Sequence, residues 1–261
     1  MLLMREVRCF PEARRHDVLN SWSGSSSRDD HQVFWVVRAN VEGPVDEQTG
    51  FLCDIKKLDR LLRRVVIPGV RRSLGSTPWS IAAFGRGLAT VMMGIDQAGL
   101  APAVLSSLEL SISPFLRLTV GRGEPHMLKV TRSFEFAAAH RLYRSDWSDE
   151  KNLEVFGKCS NPGGHGHNYV LEVTVGGTVD EHTGTIDSPQ HVERLVHERV
   201  IEPFDHRNLN VECDEFKALI PSVENIARVI WSRLEGAFDR GALQAVRVWE
   251  TPKTYAEFTG P

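Results

Sequence analysis

NYVLEVTVGGTVDEHTG, residues 168–184, reads as a half-buried strand that runs into a turn. Tyr169, Leu171, Val173 and Val175 recur at every second position, the spacing that sends alternate side chains to one face of a sheet. Asp180 to Gly184 supplies turn residues. The closing string has a twin, since VDEHTG at Val179–Gly184 matches VDEQTG at Val45–Gly50. Working outward, VRCFPEARRH (Val7–His16) sets against TRSFEFAAAH (Thr131–His140), with Phe10 on Phe134 and His16 on His140. STPWSIAAF (Ser76–Phe84) falls opposite IPSVENIAR (Ile220–Arg228), and each half ends in an alternating segment with a Ser113-Pro114 or Thr251-Pro252 step. Matches in the same order point to a duplicated unit. The seam falls in GRGEPHM, Gly121–Met127, so the expected modules are residues 1–124 and 125–261.

The second half sets the order of elements. Leu128–Arg141 and His167–Val179 read as strands, and the residues between them as a long inserted loop. Ser188-Pro189 opens a helix with Val192, Leu195, Val196 and Val200 on one face. Ser222, Glu224 and Asn225 begin a second helix that runs to about Phe238, and Ala245–Phe258 returns to strand. Strand, strand, helix, helix, strand, strand predicts an α+β fold, a four-stranded antiparallel sheet with two helices on one face. Duplication predicts two such modules in tandem.

Composition narrows the functional classes. Among 261 residues, 31 Lys and Arg nearly balance 34 Asp and Glu, for a net charge of −3, which argues against a dedicated nucleic-acid binder. The four cysteines, Cys9, Cys53, Cys159 and Cys213, are widely spaced with no CxxC, which points to a reduced, cytoplasmic setting without a disulfide framework. MLLMREVRCF has too short an apolar stub for a signal peptide. The longest apolar stretch, Trp79–Ile95, is broken by Gly85, Arg86 and Gly87 and reads as a packed helix, not a membrane span.

The chemistry gathers in the second half. His165 and His167 lie two apart at a strand entrance and so share a face, and His140 ends the preceding strand. Three imidazoles with an open position suit a catalytic zinc ion. Cys159 lies six residues before His165, within a loop of turn residues. Its spacing leaves three readings open, a thiolate base or nucleophile, a fourth zinc ligand or an inert cysteine. Asp205-His206 is either an oriented acid/base pair or a solvated loop. Glu250, on a strand otherwise suited to burial, either faces solvent or needs partners such as the paired N–H donors of a guanidine-like ring edge.

FxAAHRL, FGKCxNPxGHGHNY, VDxxTG, PFDHRNLN, PSVEN and VWET, in this order over about Leu128–Gly260, resemble the 6-pyruvoyl-tetrahydropterin synthase family. The resemblance implies a T-fold, in which such sheets close into rings around a tunnel. It implies 7,8-dihydroneopterin triphosphate as substrate and Zn2+ as cofactor, held by His140, His165 and His167. Cys159 matches the family's catalytic thiol, Asp205 and His206 its acid/base pair, and Glu250 its pterin anchor. Ser222 stands at a substrate-binding position where the family usually has Thr. Lys158, Arg141 and Arg207 are candidates for the triphosphate. The five residues between Cys159 and the HGH string resemble the animal-type enzymes more than the 6-carboxytetrahydropterin synthases of queuosine synthesis. The latter, which act on the same substrate and also release acetaldehyde, stand as the alternative, beside a non-catalytic pterin-binding protein. Open sheet edges and two modules per chain imply a homo-oligomer, a trimer of two-module chains, with no nucleic-acid or membrane partner.

The first half keeps the frame and loses this set. His16 and His31 fall opposite His140 and His165, but Val33 falls opposite His167, and a serine-rich stretch, Ser23–Ser27, opposite Cys159. Val70 and Arg71 lie about where Asp205 and His206 fall, and Ile112 lies opposite Glu250. The expectation is a structural module.

Overall fold

Strands β1 (Leu2–Cys9) and β2 (Trp35–Glu42) pair antiparallel, from Leu2 opposite Glu42 to Cys9 opposite Trp35. The computed structural model describes residues 1–9, 35–74, 80–180, 182 and 185–261, so His16, Ser23–Ser27, His31 and Val33 lie outside the described residues. The chain divides into two compact units, residues 1–131 with 176–186 and residues 132–175 with 187–261.

In the first unit, β2 continues antiparallel into β3 (Val104–Ser113) and β3 into β4 (Leu116–Gly121). Val37, Ala39, Val41, Leu108, Leu110, Leu118 and Val120 are buried at alternate positions, while Glu6, Arg38 and Glu109 form an ion-pair ladder across three strands. Between β2 and β3 come α1 (Ile55–Leu61), a π-helical turn (Leu62–Val66) and α2 (Ile67–Leu74) as one run. Helix α3 (Ile81–Gly94) follows, capped by the Ser80 hydroxyl, which accepts from Ala83 N at 3.1 Å. The glycines that interrupt the apolar run do not break this helix. Gly87 lies against Ser73 so closely that an added Cβ would collide with its hydroxyl, and bare backbone lets α3 approach α2. Val70 and Arg71 lie inside α2, and Ile112 lies in β3.

The second unit carries most of β5 (Met127–His140), α4 (Asp149–Phe156), most of β6 (His165–Thr178), α5 (Pro189–Val196) and α6 (Glu202–Phe204). The short β7 (Arg207–Asn208), α7 (Leu209–Glu212), α8 (Val223–Leu234), β8 (Ala242–Thr251) and β9 (Thr254–Phe258) complete it. Its sheet order is β5-β6-β8-β9, with β7 parallel to β5 at Ala138–Arg207 and Ala139–Asn208. A π-helical turn, His197–Ile201, joins α5 to α6 just as one joins α1 to α2. Phe136 stacks on Tyr169 at 4.9 Å, and Phe204 bridges Phe136 to Phe216. Ile226, Ile230 and Leu234 bury the face of α8 with Val246 and Val248 of β8.

Three details depart from the sequence reading. The long insert between β5 and β6 contains α4, whose N-cap Ser148 and acidic Asp149 and Glu150 signal a start. Leu153 and Val155 are exposed, so the helix shows no apolar face to read. Helix α8 ends at Leu234, not near Phe238, because Gly236 takes a left-handed φ of 68°. The aligned repeat sets Pro78 opposite Ser222, whereas the caps that structurally begin the two helices are Ser80 and Ser222.

Candidate metal centre and acid/base pair

The end of β5 organises the site. Phe136, Ala138 and His140 alternate toward the buried face of their strand, as do Tyr169, Leu171 and Val173 of β6, with His167 and His165 two and four positions before Tyr169. On β8, Val246 and Val248 are buried and Glu250 continues their register. Period-two geometry therefore carries four polar side chains to one end of an otherwise apolar face.

There they converge. Ligating atoms of His140, His165, His167 and Glu250 all lie within 4.8 Å of one another. His140 Nε2 is 3.0 Å from His165 Nε2, and Glu250 Oε1 is 3.3 Å from His140 Nε2 and 3.4 Å from His167 Nε2. His140 is almost wholly buried, and its Nδ1 lies 2.7 Å from the Pro221 carbonyl oxygen. A carbonyl only accepts, so Nδ1 carries the proton and Nε2 presents a lone pair to the cluster. Burial lowers the pKa of His140 and of His167, which favours neutral, ligating rings. Burial, with Glu250 nearby, also pushes the Tyr169 phenol well above its ordinary value, so it stays protonated beside them. His167 Nε2 is buried without a hydrogen-bond partner. An orphaned buried nitrogen amid three other donors is what a bound cation would satisfy, so the set fits zinc.

The loop between Gly157 and His165 is fastened to the same strand end. Leu142 N donates to the Cys159 carbonyl at 2.9 Å, and Arg141 Nε donates to the Ser160 carbonyl at 2.7 Å. Gly164 N closes a turn on the Asn161 carbonyl, with Pro162 pre-set at its second position. Cys159 is partly exposed and the other three cysteines are buried, all free. Its Sγ is not among the atoms gathered at the metal cluster; Glu250 is.

Asp205 and His206 hang from the same strand three residues before His140. Asp205 Oδ1 accepts from Ala137 N at 2.8 Å, and His206 N donates to the Ala137 carbonyl. Asp205 Oδ2 lies 2.8 Å from His206 Nδ1. The Ala137 N–H and His206 hold the Asp205 carboxyl below its usual range. The ionised carboxylate accepts only, so His206 carries its proton on Nδ1 and offers Nε2 outward. His206 has a positive φ of 57° and an exposed ring. Non-glycine residues rarely sit there, and the backbone bond to Ala137 is what holds it. An open cleft of about 610 Å³ runs past Ala137, Ala139, Gly166, His167, His206 and Arg207. No hydrogen bond joins Cys159 Sγ to His206 among the described residues.

Ser222 has a structural task. Its side chain caps α8 by accepting from Asn225 N at 3.4 Å, directly after the carbonyl that fixes His140. Two residues that the sequence did not single out also hold the site. Asn210 brackets the backbone of Arg141, accepting from its N at 2.7 Å and donating to its carbonyl at 3.0 Å. Pro221 acts through its carbonyl, which no residue-type pattern reveals. Of the cations considered for triphosphate, Arg141 lies 3.7 Å over the Tyr143 ring and Arg207 pairs with Glu212 at 2.8 Å.

Comparison with known proteins extends the picture. A family profile described as 6-pyruvoyl tetrahydropterin synthase matches residues 129–261. The 6-pyruvoyl tetrahydrobiopterin synthase of Homo sapiens is 39% identical over 142 residues, covering 54% of this chain and 98% of the human one. The structure of Caenorhabditis elegans 6-pyruvoyl tetrahydropterin synthase superposes with a TM-score of 0.50 at 34% identity, over 52% of this chain and 96% of that one. A 6-carboxy-5,6,7,8-tetrahydropterin synthase of Aquifex aeolicus is 28% identical over 160 residues, 50% of this chain and 96% of its own. No described helix is long and apolar enough to cross a membrane.

Proposed function

The chain belongs to the 6-pyruvoyl tetrahydropterin synthase family, and from that premise we propose that it converts 7,8-dihydroneopterin triphosphate to 6-pyruvoyl-tetrahydropterin with loss of triphosphate. The observation that carries the reading is the convergence of His140, His165, His167 and Glu250 at the end of one sheet face. Bound at the three imidazoles, zinc supplies Lewis acidity that polarises the side-chain hydroxyls of the substrate and acidifies the neighbouring C–H bonds. Glu250 anchors the pterin by accepting its paired N–H donors. Cys159 takes a proton as thiolate, and His206, oriented by Asp205, moves a second at Nε2. Ser222 adds a hydroxyl near the pterin. Elimination of triphosphate and the internal redistribution of hydrogen leave two carbonyl groups, so no external oxidant enters.

We extend the proposal to organisation. Residues 1–124 form a degenerate structural module and residues 125–261 the catalytic one. The matching order of strands and helices supports this, as does the shared π-helical turn in the first helix of each half. In the first unit β1 is an edge of the order β1-β2-β3-β4, and in the second β9 is an edge of the order β5-β6-β8-β9. Unpaired edges are aggregation hazards, which favours closure into a homo-oligomer, a trimer of two-module chains, in the cytoplasm.

Incubation of zinc-loaded protein with 7,8-dihydroneopterin triphosphate, read by mass spectrometry, tests the function. Triphosphate with the pyruvoyl product supports it. Acetaldehyde with a 6-carboxy product replaces it by the other synthase activity, and unchanged substrate refutes both.

A further inference from the structure

We propose that Glu250 closes the resting metal site as its fourth ligand and leaves the ion when a pterin ring docks. The proposal deepens the synthase reading and rests on it for the identity of the docking ligand.

The geometry points first to the ligand. Four donors at about 2.0–2.1 Å around one tetrahedral ion stand about 3.3–3.4 Å apart. His140 Nε2 and His165 Nε2 are 3.0 Å apart. Glu250 Oε1 sits 3.3 Å from His140 Nε2 and 3.4 Å from His167 Nε2, the spacing of a coordination corner. Cys159, the other residue with a claim to the fourth position, does not contribute an atom to this group. The Glu250 side chain is only 22% exposed, and the cation on its own strand is committed elsewhere. Arg247 pairs with Glu172 and Glu257. A largely covered carboxylate facing imidazole nitrogens is stabilised by a cation between them.

The chemistry of the pterin supplies the second half. Its 2-amino-4-oxo edge offers two parallel N–H donors, and a carboxylate meets such a pair with both oxygens. An ion on Oε1 withdraws the charge that the pterin pair draws on, so ion and pterin compete for the same oxygen. Pterin docking therefore draws Glu250 off the metal and vacates one position. The site opens only to a molecule bearing the pterin edge, and small oxygen ligands in solution meet a closed ion. Coupling of this kind is reciprocal, so the pterin must weaken metal binding by the factor with which the metal weakens pterin binding.

Chelator competition on the full chain tests the proposal, with 6-methylpterin as probe because it has the donor edge but no side-chain hydroxyl. Glu250→Ala should bind zinc more weakly by on the order of tenfold. Saturating 6-methylpterin should weaken zinc binding in the unsubstituted protein and leave that of Glu250→Ala unchanged. Equal zinc affinity in the two proteins, or no effect of the pterin on the unsubstituted one, overturns the proposal. Should Glu250→Ala not fold, the visible spectrum of the cobalt-substituted unsubstituted protein decides. Bands that shift on adding 6-methylpterin support ligand exchange, and unaltered bands refute it. Turnover without coupling removes this proposal alone. Coupling without turnover removes the synthase reading and leaves the exchange standing.

Discussion

Gly163 and Gly164 are neighbours of the same type, yet replacing each by alanine should have opposite consequences. Gly164 adopts φ 66°, and a Cβ built there would lie 2.8 Å from the carbonyl oxygen of His140. The left-handed conformation alone costs an alanine roughly 1–2 kcal/mol. The clash adds to this, because the carbonyl belongs to a strand end pinned through His140 Nδ1 at 2.7 Å from Pro221 and through Asn210 at Arg141. Yielding there shifts a proposed metal ligand. The expected loss is about 2–4 kcal/mol of folding stability. Zinc affinity should fall by on the order of tenfold, the factor that about 1.4 kcal/mol of ligand displacement produces. Gly163 has nothing within 4 Å of a built Cβ and no positive φ. Its replacement should stay within about 0.5 kcal/mol, or stabilise slightly by restricting the unfolded chain. Urea unfolding of the metal-free proteins and zinc competition measure both effects. Equal stability and equal zinc affinity in the two variants would refute the reasoning.

Four other outcomes are expected. His167→Ala should lose most bound zinc and the activity together, and full zinc content by metal analysis would remove this residue from the site. Cys159→Ala should abolish turnover while retaining zinc, whereas loss of metal would make the thiol a ligand. Asp205→Asn should lower kcat by about 10²-fold or more, since the amide no longer dictates a proton on His206 Nδ1; a kcat unchanged in steady-state assays contradicts the pair. In metal-free protein, burial holds His140 and His167 below the ordinary histidine value. Below about pH 6.5 the unfolded chain takes up protons that the folded rings refuse. Unfolding free energy should therefore be level above that pH and fall as pH drops through the lowered values, less steeply in His167→Gln, and a rise toward about pH 5 would contradict the assignment.

How far the sequence reaches is visible strand by strand. Alternation in NYVLEVTV and FEFAAAH placed β6 and β5, and it put His165 and His167 on one face with His140 at the end of the preceding strand, because parity along a strand is a local property. The Ser188 and Ser222 caps were legible for the same reason, since each bonds a backbone N–H within its own first turn. Family strings gave Glu250 a role as pterin anchor but no place beside the imidazoles. Its 3.3 Å approach to His140 depends on how β8 lies in the sheet, across 110 residues of chain. Nor does composition separate Gly163 from Gly164, or mark Pro221 and Asn210 as supports of a metal ligand. Those assignments belong to tertiary structure. A backbone carbonyl or an uncrowded Cβ direction acquires meaning only from what another segment brings against it, and that partner is fixed by the packing of the sheet rather than by the residues on either side.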